Sequence, residues 1–162
     1  MFSIRLATLD DFVTINEIYN HYVLNSTCTF HLEPVTDEER LEWLSHHTER
    51  YPVTVVESDG IVVGWASLSQ FRPRPAYANT VESSVYIHRD FHRRGLGKLL
   101  MTDLVERAKQ LKHRSIIAGA EASQTASIRL HQDLGFTKVA YYQEVGFKFG
   151  EWHDTVFFQL ML

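Results

Sequence analysis

The sequence predicts an α/β fold with a mixed central β-sheet flanked by about four α-helices. Two observations carry that prediction. Apolar residues recur with period two and then with period 3.6, in the order strand, two helices, three strands, helix, strand, helix, two strands. An Asp59-Gly60 turn between apolar runs marks an antiparallel hairpin early in the chain, whereas the later strands are separated by helical stretches long enough for crossovers.

Phe2, Ile4 and Leu6 alternate with polar neighbours, so residues 2–7 read as a strand. Thr8 and Asp11 resemble a capping box opening a helix whose Phe12, Ile15, Tyr19 and Tyr22 fall on one side. After a polar loop at 25–30, Thr36 and Glu39 form a second capping box, before a helix expected to run to about Arg50. Val53 to Val56 and Ile61 to Trp65 are the arms of the Asp-Gly hairpin. Pro73 and Pro75 remove N–H donors, so 71–77 reads as a loop over one face. Residues 80–87 form the next strand. The following helix starts at Leu96, with an apolar stripe of Leu99, Leu100, Leu104, Ala108 and Leu111. Ser115–Ala120 is a short buried strand, Gln124–Leu134 a helix stopped by Gly135, and 136–142 and 152–162 two closing strands.

The 162 residues fit one domain spanning 1–162. A formal charge of -4 argues against a general nucleic-acid binder. No apolar run approaches the ~18–20 residues that span a bilayer, and the first residues lack the pattern of a signal peptide. With the lone Cys28, these features point to a cytoplasmic protein without membrane contact. The nine histidines include no metal-ligand spacing, so no metal is expected.

The most informative stretch is Val85–Lys98. An extended apolar segment runs into a basic, glycine-containing turn that opens a helix. Unpaired N–H groups at the positive end of a helix dipole bind phosphate oxygens. Gly95 and Gly97 allow close approach to the backbone, and Arg93, Arg94 and Lys98 add positive charge around Leu96. The spacing is neither that of a P-loop nor that of a dinucleotide fingerprint. It reads as a site for a pyrophosphate-bearing ligand.

The string His92-Arg93-Arg94-Gly95-Leu96-Gly97, followed by Ala126–Phe136, resembles the acetyl-CoA-binding and closing motifs of the GNAT N-acetyltransferases. His92 departs from the glutamine or arginine usual at the first position. Ile18–Tyr22, Ser26–Phe30, Glu82–Ile87 and Val145–Asp154 are similar to the phosphinothricin and methionine sulfoximine acetyltransferase branch. The resemblance implies a GNAT fold, acetyl-CoA as co-substrate, an amino-acid analogue as the small-molecule amine, and a homodimer.

It also implies roles for individual residues. Glu82 would be the general base that frees the amine's lone pair. On its strand Glu82, Ser84 and Tyr86 share one face, while Ser83, Val85 and Ile87 share the other. Val85, Tyr86 and Ile87 would hold the pantetheine arm, with an N–H near Ile87 polarising the thioester carbonyl. The pyrophosphate would lie on Arg93, Arg94, Gly95, Leu96, Gly97 and Lys98, and Gln124 would meet the CoA arm. His131 stands where many members have a tyrosine that protonates the departing thiolate, and near its ordinary pKa it can do the same. Arg72, Pro73 and Arg74, with Glu82, Ser83 and Ser84, would bind the acceptor. Transfer would be direct, in a ternary complex, with Cys28 outside the chemistry. Two other readings stay open: acetylation of a different amine (a polyamine, an aminoglycoside or a protein N-terminus), and a non-catalytic acetyl-CoA-binding regulator.

Overall fold

The computed structural model describes every residue from Met1 to Leu162. In chain order the elements are β1 (Phe2–Leu6), α1 (Phe12–Asn25), α2 (Asp37–Ser45), β2 (Val53–Ser58), β3 (Ile61–Gln70), β4 (Thr80–Ile87), α3 (Leu96–Gln110), β5 (Ser115–Glu121), α4 (Thr125–Asp133), β6 (Thr137–Lys148) and β7 (Glu151–Met161). The strands form one mixed sheet ordered β1-β2-β3-β4-β5-β7-β6, in which only β4 and β5 pair in parallel.

Both capping boxes form. Thr8 and Asp11 cap a short 3-10 turn that leads into α1, and Thr36 and Glu39 cap α2. Asp11 does more than cap: Arg5 of β1 donates to both its oxygens, at 2.7 and 2.9 Å, and so fastens the first strand to the first helix. The second helix ends at Ser45, short of the expected Arg50. Beyond Leu44 the chain offers no apolar side chain to bury before Tyr51. Ser45 Oγ and His47 Nδ1 instead turn back to the carbonyl oxygens of Glu42 and Trp43.

Two cores lie on opposite faces of the sheet. One packs Ile15, Ile18, Val23 and Leu44 of α1 and α2 against Val53, Val55 and Trp65. The other packs Leu96, Leu100, Met101, Leu104 and Ala108 of α3 against Leu68, Val81, Ile116 and Phe158. The buried stripe of α3 thus uses Leu96 and Met101, whereas Leu99 is 43% exposed. Strand β6 runs to Lys148, past the expected end at Tyr142, because Gln143 and Glu144 are taken up in an irregularity between Tyr142 and Gly146. Glu144 adopts a φ of +48° there and donates its N–H to Asp154. The resulting β6–β7 hairpin exposes Val139, Tyr141, Val145 and Phe147 on the outermost strand of the sheet, with Phe149 and Trp152 beside its turn.

The feature that positions the site is a parting of strands. Parallel pairing between β4 and β5 covers only Thr80↔Ser115, Val81↔Ile116 and Glu82↔Ile117. Beyond Glu82 the two strands diverge, while β4 stays paired with β3 as far as Ile87.

Candidate active site

The gap between the diverging strands is a groove of about 930 Å3, walled by Glu82–Ile87 on one side and by Gly119, Ala120 and Glu121 on the other. His88 donates its N–H to Val63 of β3. Successive N–H groups of a strand point to opposite edges. Those of Val85 and Ile87 therefore face the gap, where no strand pairs with them. The carbonyl oxygen of Ile87 faces the same way and accepts from Tyr22 Oη and His92 Nε2.

At its far end the groove reaches the start of α3. From Arg93 to Lys98 no backbone N–H donates within the chain, so six consecutive donors stand unpaired at the positive end of the helix. Gly95 holds a left-handed φ of +77°, which turns the chain into the helix, and a Cβ there would meet nothing within 4 Å. Gly97 serves a different purpose, since a Cβ at that position would stand 3.4 Å from Leu130 of α4. A narrow slot flanked by free strand amides and ending on a helix N-terminus suits an elongated ligand with a phosphate head. The residues present fit acetyl-CoA: Val85 and Ile87 would hold its amide-bearing arm, and Arg93–Lys98 its pyrophosphate.

Glu82, Ser83, Ser84, Val85, Tyr86, Ile87, Arg93, Gly95, Leu96, Gly97, Lys98, Gln124 and His131 all line this groove. Arg94 does not; its guanidinium stacks over Phe91 at 4.7 Å. Arg72, Pro73 and Arg74 are exposed and line neither this groove nor the neighbouring cavity. Arg72 lies over the rings of Phe71 and Tyr77, at 5.0 and 5.5 Å.

Two titrating groups differ from their expected character in opposite ways. Burial without any hydrogen-bond partner raises the Glu82 carboxyl above the ordinary carboxylate value. Burial pushes His131 down, and its Nδ1 lies 2.7 Å from the carbonyl oxygen of Ser127. That nitrogen carries the ring hydrogen, so at neutral pH His131 is a neutral imidazole with no proton to give from Nε2. The expectation that it titrates near its ordinary value is thereby corrected. Its ring packs instead against Phe136 and Phe158.

One groove residue was invisible to motif reading. Glu121, at the end of β5, is buried and accepts from Thr27 Oγ1 at 3.1 Å and from Ser123. Gln124 Nε2 donates to the same Thr27 oxygen at 2.9 Å. The buried Lys148 donates to the Thr29 carbonyl at 2.8 Å. Together they clamp the 26–30 loop over the groove and place the exposed Cys28 on its wall. His153 and Asp154 have unrelated partners: His153 lies against Lys148 O and 3.7 Å from Glu121, and Asp154 accepts from Tyr141 Oη.

A strand pair that opens onto a helix N-terminus, with a partnerless carboxyl at the fork, suits a phosphate-headed ligand lying beside a group able to take a proton. Comparison with known proteins agrees. A family model described as an acetyltransferase (GNAT) domain matches residues 4–157. An L-methionine sulfoximine/L-methionine sulfone acetyltransferase of Salmonella typhimurium is 40% identical over 99% of this chain and 94% of its own. A phosphinothricin N-acetyltransferase of Streptomyces viridochromogenes is 38% identical over 96% and 85%. Among solved structures, an acetyltransferase from Salmonella typhimurium with its cofactor acetyl-CoA superposes with a TM-score of 0.96, at 40% identity over 99% of this chain and 94% of that one. The chain belongs to the GNAT acetyltransferase family.

Proposed function

We propose that the protein transfers an acetyl group from acetyl-CoA to the α-amino group of a small amino-acid analogue, such as phosphinothricin, methionine sulfoximine or methionine sulfone. The relatives acting on those compounds match nearly the whole chain. The observation that carries the reading is the placement of Glu82. Its side chain lies at the fork of β4 and β5, desolvated and without a hydrogen-bond partner. A second cavity of about 500 Å3 shares Ser84 and Tyr86 with the groove, which leaves room for an acceptor beside the co-substrate.

Acetyl-CoA supplies an activated acetyl thioester. Glu82, directly or through a water, takes the proton from the acceptor's ammonium so that a lone pair is free to attack. The Val85 and Ile87 N–H groups orient the pantetheine arm, and the one near the thioester polarises its carbonyl. Transfer is direct, so no residue carries the acetyl group: the amine nitrogen bonds to the acetyl carbon, the C–S bond breaks, and CoA leaves as a thiolate to which the proton collected by Glu82 can return. Arg72 and Arg74, on a loop that leaves β3 just after Ser69 (the pairing partner of Glu82), draw an anionic acceptor toward the cleft. The exposed apolar edge of β6 fits a homodimer contact. A lone free cysteine and a CoA thioester suit a reducing, cytoplasmic setting.

Thiol release from acetyl-CoA, measured with methionine sulfone, phosphinothricin and a polyamine, tests the acceptor class. Tight acetyl-CoA binding without turnover of any amine would make the protein a regulator instead. The base is tested by Glu82→Gln. Glu82 works only when ionised, so wild-type activity climbs as pH rises through its raised pKa. The variant should lose that limb, with turnover down ~10²–10³-fold near neutral pH and by less where free amine is abundant. An unaltered pH–rate profile would remove Glu82 from the role.

A further inference from the structure

Arg40 occupies a core position. With Leu44, four residues on, it forms the buried stripe of α2, and it is only 4% exposed. A buried cation is costly unless it is paired and hydrogen-bonded. Arg40 has no carboxylate within salt-bridge distance, and its one hydrogen bond runs from Nε to Asn16 Oδ1 at 3.2 Å. The guanidinium is instead boxed by aromatic rings, 4.6 Å from the centre of Tyr19, 4.7 Å from Trp43 and 5.6 Å from Trp65. Cation–π contacts offset part of the desolvation. They leave the two terminal nitrogens without an acceptor, and Arg40 lines the 500 Å3 cavity beside the groove.

Two further donors on that cavity also lack a partner, and these are shut off from solvent. Trp65 Nε1 and Ser67 Oγ are buried, and neither has a hydrogen-bond partner. Buried polar groups are nearly always satisfied, so these two, beside a guanidinium whose terminal nitrogens face the same cavity without an acceptor, indicate a missing acceptor. The sheet register ties this cavity to the chemistry: Trp65 pairs with Tyr86, Ser67 with Ser84 and Ser69 with Glu82, on one face. Glu33 and Glu39 also line the cavity, but both are exposed, and Glu39 is engaged by the Thr36 N–H at 2.8 Å. Solvent screens these rim charges far more than it screens the floor.

We infer that Arg40, with Trp65 Nε1 and Ser67 Oγ, anchors a polar oxygen group of the acceptor, so that the amine is presented toward Glu82. The inference rests on the acceptor being an amino-acid analogue, as proposed above. Such a molecule carries oxygens at two places, the α-carboxylate and the second polar head, and the chemistry of the anchor suits either.

The test is steady-state kinetics of the full chain on three acceptors: methionine sulfone, its carboxyl-free counterpart 3-(methylsulfonyl)propan-1-amine, and norleucine, which lacks the head oxygens. Arg40→Met keeps length and bulk while removing charge and donors. It should raise the KM for methionine sulfone by ~30-fold or more, the scale of hydrogen bonds to a charged group, and leave the KM for acetyl-CoA unchanged. The penalty should shrink to within about threefold for the acceptor lacking the group that Arg40 holds. Loss with the carboxyl-free amine retained assigns the α-carboxylate; loss with norleucine retained assigns the head. An equal penalty on all three acceptors, or a raised KM for acetyl-CoA, would overturn the anchor and leave Arg40 a packing residue. Ser67→Ala keeps the charge and the fold and should show the same selectivity at a smaller scale. If Arg40→Met does not fold, an unchanged KM in Ser67→Ala overturns the inference. Wild-type enzyme inert toward every amino acid would sink the functional reading itself, whereas an active wild type with an indifferent Arg40→Met would sink only the anchor.

Discussion

Glu82 and Gly95 act through opposite properties of the space around them. Glu82 is short of water and of partners, which raises its carboxyl toward the range useful in a base. Gly95 has empty space on its Cβ side, and its demand is conformational, a φ of +77° that other residues adopt only with strain. Gly95→Ala should therefore cost ~1–2 kcal/mol in thermal unfolding and weaken acetyl-CoA by tenfold or more in calorimetric titration, because the amides of 96–98 lose their aim. Unchanged affinity would show that the turn is only a connection. The placement of such residues in one groove was legible in the sequence, because the glycine pair marks a strand-to-helix turn and Glu82 lies one strand-length upstream. Arg40 was not legible. Within its own helix it reads as one more charge after a capping box, and only Tyr19 of α1 and Trp65 of β3, closing on it with Trp43, make it a buried cation. His131 was misjudged for the same reason, since the rings of Phe136 and Phe158 that desolvate it come from the chain beyond its helix.

Elements were read well where their ends carry chemical signals and poorly where the ends depend on burial. The start of α2 follows from Thr36 and Glu39, while its stop at Ser45 follows from the lack of anything apolar to bury in the next turn. Strand β6 passes straight through Gln143 and Glu144 because Asp154 of the facing strand receives the displaced Glu144 N–H. The pairing of β3 with β4 sets the position of the catalytic edge, and Gly64 is the tight point in it. A Cβ at Gly64 would come within 2.7 Å of Ile87 Cδ1 and 3.1 Å of the Tyr86 carbonyl oxygen. Gly64→Ala should destabilise the fold by ~1–3 kcal/mol in urea titration and raise the KM for acetyl-CoA, since Ile87 must shift. Loss of stability with no change in that KM would mean that the end of β4 tolerates movement.

At the scale of the molecule, two cores sit on opposite faces of a sheet whose middle is thinly joined. Its outermost strand, with the turn after it, presents Tyr141, Val145, Phe147 and Phe149 to solvent, more apolar surface than a free edge usually carries. Phe147→Glu combined with Trp152→Glu should convert a dimer to a monomer in sedimentation velocity without loss of fold. A wild-type monomer at micromolar concentration would remove the dimer from the proposal. The overall architecture was readable because every crossover has its own helix or hairpin signal, whereas the divergence of β4 from β5 has none; no residue after Glu82 forbids further pairing. That divergence ties ligand to cohesion. Only three residue pairs join the β1–β4 half of the sheet to the β5–β7–β6 half. A co-substrate bound as proposed, answering the free amides of one rim and touching the other, would act as a surrogate rung across the seam. Loss of pairing in the sheet and room for a ligand are thus two aspects of one opening.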